Sequence, residues 1–324
     1  STTLTVRPEE FKIGLDSCNA EMLYTLNFYN SNLSYQMQGI NHVASLGIPV
    51  HYLELGQAHN LNMQPIRAGT YAATAKTWCD TIRQYYPQAK LCLVGGDIPN
   101  SNPNWISSIN AQNISFDAID FHVYPLAPGT TFNVQNAFTV AHSGTGMRYA
   151  LSHFNALTGK DVWVTEYNMS TDTTALSNTW TQTLFVLSMM DTMIQLPQVT
   201  MLIPWAYSGR YDYLQCLNFN TFDMQATGIA TKLINDVSRN MDSCRKLNFN
   251  VAPITMNGSY YPALFGYQFY NAGSNSSKAL MVNISANDYA IDPNQISGNI
   301  NFTLYSADTA KFITNGFSDL NVSS

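Results

Sequence analysis

Two strand-like runs end in glutamate. His51-Tyr-Leu-Glu-Leu-Gly-Gln-Ala-His59 carries Glu54, and Asp161-Val-Trp-Val-Thr-Glu-Tyr-Asn168 carries Glu166. Between them lies Asp120-Phe-His-Val-Tyr-Pro125, with His122 at the C-terminal end of a strand-like run. Carboxylates at the C-terminal ends of different strands equip a retaining glycosidase, one as nucleophile and one as acid/base, about 5–5.5 Å apart. A single Glu closing a strand is more often a paired structural group, so the arrangement carries the signal. Asn27 and Trp205 close two further strand-like runs. His51, His59 and His122 lie on two strands without H-x-x-x-H spacing, so no metal site is expected. Ser143-Gly-Thr-Gly146 does not match a nucleophile elbow, and no cofactor is expected.

The elements that must position these residues alternate. Strand-like runs at Met22–Phe28, Val50–Leu55, Leu91–Val94, Ala118–Tyr124, Val162–Tyr167 and Val199–Tyr207 alternate with segments of helical period. Those helical segments are Leu33–Leu46, Thr70–Tyr85, Asn104–Ala111, Val140–Leu157, Ala175–Leu196 and Gln225–Asn240. Such alternation predicts a parallel sheet covered by helices, and the near-continuous apolar strands fit burial on both faces. No Gly-rich phosphate loop follows any strand, which weakens an open nucleotide-binding sheet. Polar residues at the C-terminal ends of several strands instead mark the active face of a (β/α)8 barrel. After Asn250 the pattern changes to short strands at Tyr261–Tyr270, Lys278–Ile284, Ile296–Tyr305 and Ala310–Thr314, read as a β-sandwich with N-terminal residues able to complete it. The expected division is a partial barrel over 1–245 and a sandwich over 246–324.

Composition excludes several classes. With 45% hydrophobic residues in 324 the chain can bury a core, so it is not disordered. Net charge is −6 with 15 basic residues and no basic run, which excludes a nucleic-acid partner read through phosphate neutralisation. No apolar run is long enough to span a bilayer. Charged residues are only 11%, so surface polarity falls to 33 Asn, 27 Ser and 29 Thr. Eight N-x-S/T sequons occur, at Asn32, Asn113, Asn168, Asn257, Asn275, Asn283, Asn301 and Asn321. With the low charge, and with Ser1 in place of an initiator Met, they favour a secreted, extracellular glycoprotein cut from a longer chain. Of five cysteines, Cys216 and Cys244 flank one predicted helix and are the expected disulfide.

Taken in order, these motifs resemble the clan A glycoside hydrolases, and most closely the heparanase-like family. The resemblance runs through Tyr24-Thr-Leu-Asn-Phe28, Leu53-Glu-Leu-Gly56, Leu93-Val-Gly-Gly-Asp97, Phe121-His-Val-Tyr124, Trp163-Val-Thr-Glu166 and Pro204-Trp-Ala-Tyr207, as barrel strands three to eight. It implies a (β/α)8 barrel with a flanking β-sandwich. It also implies that strands one and two come from an N-terminal fragment or partner chain, as in heparanase, where a separate small chain supplies them. Glu166 matches the nucleophile. Asn27, Glu54, Gln57, His122, Tyr124 and Trp205 match positions lining the carbohydrate site, Glu54 in a structural role.

One departure decides the expected activity. The family's fourth strand ends Glu-Leu-Gly-Asn-Glu, and its last Glu is the acid/base. Here the run is Glu54-Leu-Gly-Gln-Ala58, so the acid/base position holds Ala58. A methyl group cannot protonate a leaving group, and general acid/base help is worth about 10²–10⁴-fold. The expected protein is therefore glycosidase-like but without ordinary hydrolysis, serving in glycan binding or extracellular assembly. The alternative is an active retaining glycosidase or transglycosylase with Glu166 as nucleophile. Low charge and an incomplete barrel also suit self-assembly.

Overall fold

The computed structural model describes residues 7–57, 66–98, 104–125, 133–156, 159–170, 174–206, 214–256, 259–290, 303–309 and 311–323. By contact density the chain divides into two compact units, 1–122 with 157–164, and 123–156 with 165–324. The elements run α1 (Pro8–Cys18), β1 (Leu23–Thr25), α2 (Leu33–Ser45), β2 (Tyr52–Leu55), α3 (Ala68–Tyr85), β3 (Lys90–Ile98), α4 (Trp105–Ala111) and β4 (Ala118–Val123). They continue as α5 (Val134–Ser143), α6 (Thr145–Ala156), β5 (Asp161–Tyr167), α7 (Trp180–Ile194), β6 (Val199–Pro204) and α8 (Ala226–Ser238). Short strands follow: β7 (Ser243–Lys246), β8 (Ile254–Met256), β9 (Ser259–Tyr261), β10 (Leu264–Asn271), β11 (Ser276–Asn283), β12 (Leu304–Ser306) and β13 (Asn321–Ser323). The first six strands form one sheet in chain order, β1 to β6. That order, with a helix before each new strand, is the half-barrel the alternation predicts.

In the first unit, β2 pairs in parallel with both β1 and β3. Leu53, Leu55, Leu91 and Leu93 are fully buried, because the sheet is covered and its strands are apolar on both faces. Helix α3 buries Tyr71, Ala72, Ala75, Trp78, Cys79 and Ile82, one stripe at helical spacing. Tyr71 pins the strand ends: its hydroxyl donates to Leu55 O at 2.9 Å and accepts from Val94 N at 2.8 Å. Gly95 lets β3 approach β4, since a Cβ there would lie 2.3 Å from Asp120 O. The N-terminal residues expected to complete the sandwich form helix α1 instead. Pro8 at its first turn and Glu9 and Glu10 beside the positive end of its dipole favour that start.

In the second unit α7 is buried on nearly every side, so its apolar residues cover the whole helix surface. Its buried polar groups are paired. Asp191 accepts from Lys246 Nζ at 2.9 Å and from Tyr267 OH at 2.7 Å, tying α7 to the antiparallel sheet β11-β10-β7. Two antiparallel pairs, β8-β9 and β12-β13, complete the described C-terminal strands. The predicted strand Ala310–Thr314 is only an isolated bridge from Phe312 to Thr179. The single helix expected over Val140–Leu157 is two helices parted at Gly144, whose extended ψ of 157° ends α5.

His142 on α5 gives this unit a pH dependence. Its Nδ1 lies 3.0 Å from Thr192 Oγ1, and its ring packs against Tyr261 and Phe265. Burial lowers its pKa to about 4, with Lys246 adding to the fall and Asp191 opposing it. The unfolded chain takes up this proton near pH 6.5, and the folded chain refuses it until about pH 4. Stability is therefore present above pH 6.5 and drains as pH falls toward 4, by roughly 3 kcal/mol. His142→Phe is expected to flatten that slope in urea titrations across this range; an unchanged slope would assign it elsewhere.

Candidate functional site

The predicted site residues fall into two polar clusters, one in each unit. In the first unit, β2 and β4 bring Glu54, Asp120 and His122 together, 3%, 1% and 3% exposed. Thr25, the register partner of Glu54, donates to Glu54 Oε2 at 2.6 Å. Gly95 N donates to Asp120 Oδ1 at 2.9 Å, while Asp120 Oδ2 lies 3.6 Å from His122 Nε2. Glu54 Oε1 is buried and meets no N–H or hydroxyl donor, and the Glu54 carboxyl hydrogen-bonds to that of Asp120 when the latter is protonated. Burial foremost, then the neighbouring Glu54 charge, raises the Asp120 carboxyl well above the ordinary carboxylate range, with His122 pulling the other way. The donor atoms of the three side chains lie within 4.8 Å of one another, so this group could hold a cation. Sequence reasoning quoted Asp120 without assigning it. Its place two residues before His122, on the same strand face, was the available signal.

Asn27 is not part of that cluster. It is exposed, and its Oδ1 accepts from Asn30 N at 3.0 Å, closing a local turn. Gln57 is exposed just past Gly56, whose φ of +99° turns the chain out of β2 in a conformation that favours glycine. Ala58 and His59 lie outside the described residues.

In the second unit, β5 ends in Glu166, 9% exposed. Tyr124 donates its hydroxyl to Glu166 Oε2 at 2.8 Å, and its ring meets Trp205 edge-on at a centroid distance of 6.4 Å. Tyr124, Glu166 and Trp205 are thus brought together. Trp205 follows β6, hydrogen-bonds from its N–H to Tyr167 O at 3.0 Å, and precedes a cis peptide. A carboxylate held by a tyrosine hydroxyl beside an indole face can align on one carbon of a sugar ring and stack on that ring.

Asn168 corrects the glycosylation reading. It is fully buried, and its Nδ2, where a glycan would attach, donates to Trp205 O at 2.5 Å, Leu214 O at 3.0 Å and Thr227 Oγ1 at 3.1 Å. Its Oδ1 accepts from Met169 N at 2.8 Å and Gln182 Nε2 at 3.0 Å. It is a structural hub with no room for a sugar. Asn32, Asn113, Asn275, Asn283 and Asn321 are exposed, while Asn257 and Asn301 lie outside the described residues.

The disulfide expectation is also corrected. All five cysteines are free thiols. Cys216 is buried with its sulfur 3.5 Å from Thr231 Oγ1 on α8, whereas Cys244 is exposed on β7 opposite Phe269. Flanking one helix in sequence did not bring them together. Burial pushes the Cys79 thiol up to about 12 and raises Cys92 and Cys216 as well. A maleimide is expected to label Cys18 and Cys244 in the native protein and all five thiols after denaturation; native labelling of the other three would contradict this packing.

Comparison with known proteins assigns the chain to a family. The model of the glycosyl hydrolase catalytic core matches residues 58–234, more than half of the chain. The chain belongs to the glycosyl hydrolase catalytic core family. Its fold is similar to a family 51 α-L-arabinofuranosidase from Bifidobacterium longum, with a TM-score of 0.67 and 10% identity, covering 86% of this chain and 66% of that one. It is also similar to a family 51 α-L-arabinofuranosidase from Thermotoga petrophila, with a TM-score of 0.59 and 13% identity over 85% of this chain and 63% of that one. A third similarity is to a 4-O-α-L-rhamnosyl-β-D-glucuronidase from Fusarium oxysporum, with a TM-score of 0.55 and 15% identity over 87% of this chain and 62% of that one. The chain spans less than two-thirds of the length of each of these structures. No curated protein matches by sequence. Among the described residues, no helix is long and apolar enough to cross a membrane.

Proposed function

We propose that this glycosyl hydrolase catalytic core is a secreted, heparanase-like glycoprotein that binds carbohydrate and has lost ordinary hydrolysis. The observation that carries this reading is the run Glu54-Leu-Gly-Gln-Ala58, with a methyl group at the acid/base position. An unassisted glycosidic oxygen leaves as an alkoxide, a poor leaving group, and losing that proton costs about 10²–10⁴-fold in rate. Sugar binding needs no proton donor, and the half-buried Trp205 ring offers a stacking face.

The rest of the protein serves that role. The barrel portion runs to residue 245 and a β-sandwich portion follows to 324. Strands one and two of the barrel come from an N-terminal fragment or partner chain laid along β6, which closes the sheet order among the described residues. A groove of about 210 Å³, lined by Val199, Met201, Met190, Ile194, Ile234 and Phe269, supports that placement. The five exposed sequons support an extracellular glycoprotein. Low charge together with exposed Phe11 and Ile13 supports self-assembly.

The test is titration calorimetry with arabinofuranose- and glucuronic-acid-containing oligosaccharides, the sugars in the names of the similar structures. Binding without turnover, weakened at least about tenfold by Trp205→Ala, supports the reading. Turnover of the natural polysaccharide at roughly 1–10³ s⁻¹, the ordinary range for enzymes, would overturn it.

The Tyr124–Glu166 hydrogen bond favours a second reading, in which the nucleophile still works. A 2-deoxy-2-fluoro glycoside with a dinitrophenolate leaving group needs no acid and should then label Glu166. An unlabelled, folded protein would remove that reading.

A further inference from the structure

We propose that Glu54, Asp120 and His122 bind one divalent transition-metal ion inside the first unit. The carboxylates are arranged as ligands are. Each has one oxygen fixed by a donor, Glu54 Oε2 by Thr25 Oγ1 at 2.6 Å and Asp120 Oδ1 by Gly95 N at 2.9 Å. Hydrogen bonds of this kind orient metal-binding carboxylates from outside the coordination sphere. The second oxygen of Glu54 is buried, 3% exposed as a residue, and meets no N–H or hydroxyl donor, so its one partner is the proton that Asp120 shares with Glu54. A cation at that point would take the place of the shared proton.

The third donor fits the same sphere. His122 Nε2 lies 3.6 Å from Asp120 Oδ2, too long for a hydrogen bond. Two ligands of a tetrahedral ion with bonds of 2.0–2.1 Å stand roughly 3.4 Å apart. The three donor atoms all lie within 4.8 Å of one another, so a pair at that limit must draw together by up to about 1.4 Å to reach tetrahedral spacing. With both carboxyls ionised, Glu54 and Asp120 would place two negative charges in a buried site. A divalent ion neutralises both carboxylates, whereas a proton shared by Glu54 and Asp120 neutralises one. An imidazole in the donor set selects zinc over manganese, calcium or magnesium.

The experiment strips the full chain with a chelator, then titrates it separately with Zn²⁺, Mn²⁺ and Ca²⁺ by calorimetry and measures bound metal by mass spectrometry. One equivalent of Zn²⁺ is expected, bound more tightly than Mn²⁺ or Ca²⁺, with a rise in melting temperature as the ion binds the folded state. Glu54→Gln should abolish stoichiometric uptake. Thr25→Val, which removes only the orienting hydroxyl, should weaken it by about 10–100-fold and keeps the test open if Glu54→Gln does not fold. No stoichiometric uptake by the wild type would overturn the site and leave a shared proton as the balancing charge. Unchanged affinity in Glu54→Gln or Thr25→Val would overturn it equally. Sugar binding is read separately, by the Trp205→Ala titration, so the two proposals fail independently.

Discussion

Ala58→Glu is expected to raise glycoside hydrolysis by about 10²–10⁴-fold on substrates with poor leaving groups. The gain should be near unity on dinitrophenyl glycosides, whose leaving group departs without a proton. That contrast isolates the missing acid from every other deficit. A general loss of binding or folding would depress both substrate classes alike, and a carboxyl at position 58 would then rescue neither. The check is kcat/KM for both classes in the wild type and in Ala58→Glu, with Glu166→Gln as the background. A gain that survives Glu166→Gln would show that the new acid works without the proposed nucleophile. No gain on either class would mean that more than the proton donor has been lost.

Asn168→Ala is expected to be the most destabilising single substitution in the second unit. It removes five hydrogen bonds that join the end of β5 to α7 through Gln182, to the carbonyls of Trp205 and Leu214, and to Thr227 on α8. The carbonyls left behind are buried, and each unpaired buried group costs about 1–3 kcal/mol. Relaxation of the cavity recovers part of that sum, so a net loss of about 3–5 kcal/mol is expected, large against a total stability of 5–15 kcal/mol. Asn168→Asp should cost at least as much, because a carboxylate would face two carbonyl oxygens where an amide now donates. Urea unfolding measures both, and a loss below about 1 kcal/mol for Asn168→Ala would show that the network is dispensable. Intact-mass analysis of native material should likewise find no glycan at Asn168.

The two corrections at Asn168 and the cysteines have a common origin. A sequon is three residues, and a cysteine pair is two positions on a line. Neither carries the distance or burial that decides its fate. Asn168 has the acceptor sequence, yet its amide nitrogen is spent on three hydrogen bonds in the core. Cys216 turns into α8 while Cys244 faces outward from β7, and only packing sets those directions. Helix α1 was different, because Pro8, Glu9 and Glu10 already signalled its start in the sequence.

By itself, the sequence determined the six alternating strands and helices, the two glutamates at strand ends and the methyl group at position 58. Strand and helix periods are local, and a burial pattern repeats every two or 3.6 residues along the chain. Tertiary structure alone decided which polar residues share a cluster. It set Asp120 and His122 of β4 beside Glu54 of β2, with β3 between those strands in the sheet. It also turned Tyr124 onto Glu166 across 42 residues of chain. Such contacts depend on strand order and register, and sheet pairing fixes both only when the whole chain has closed.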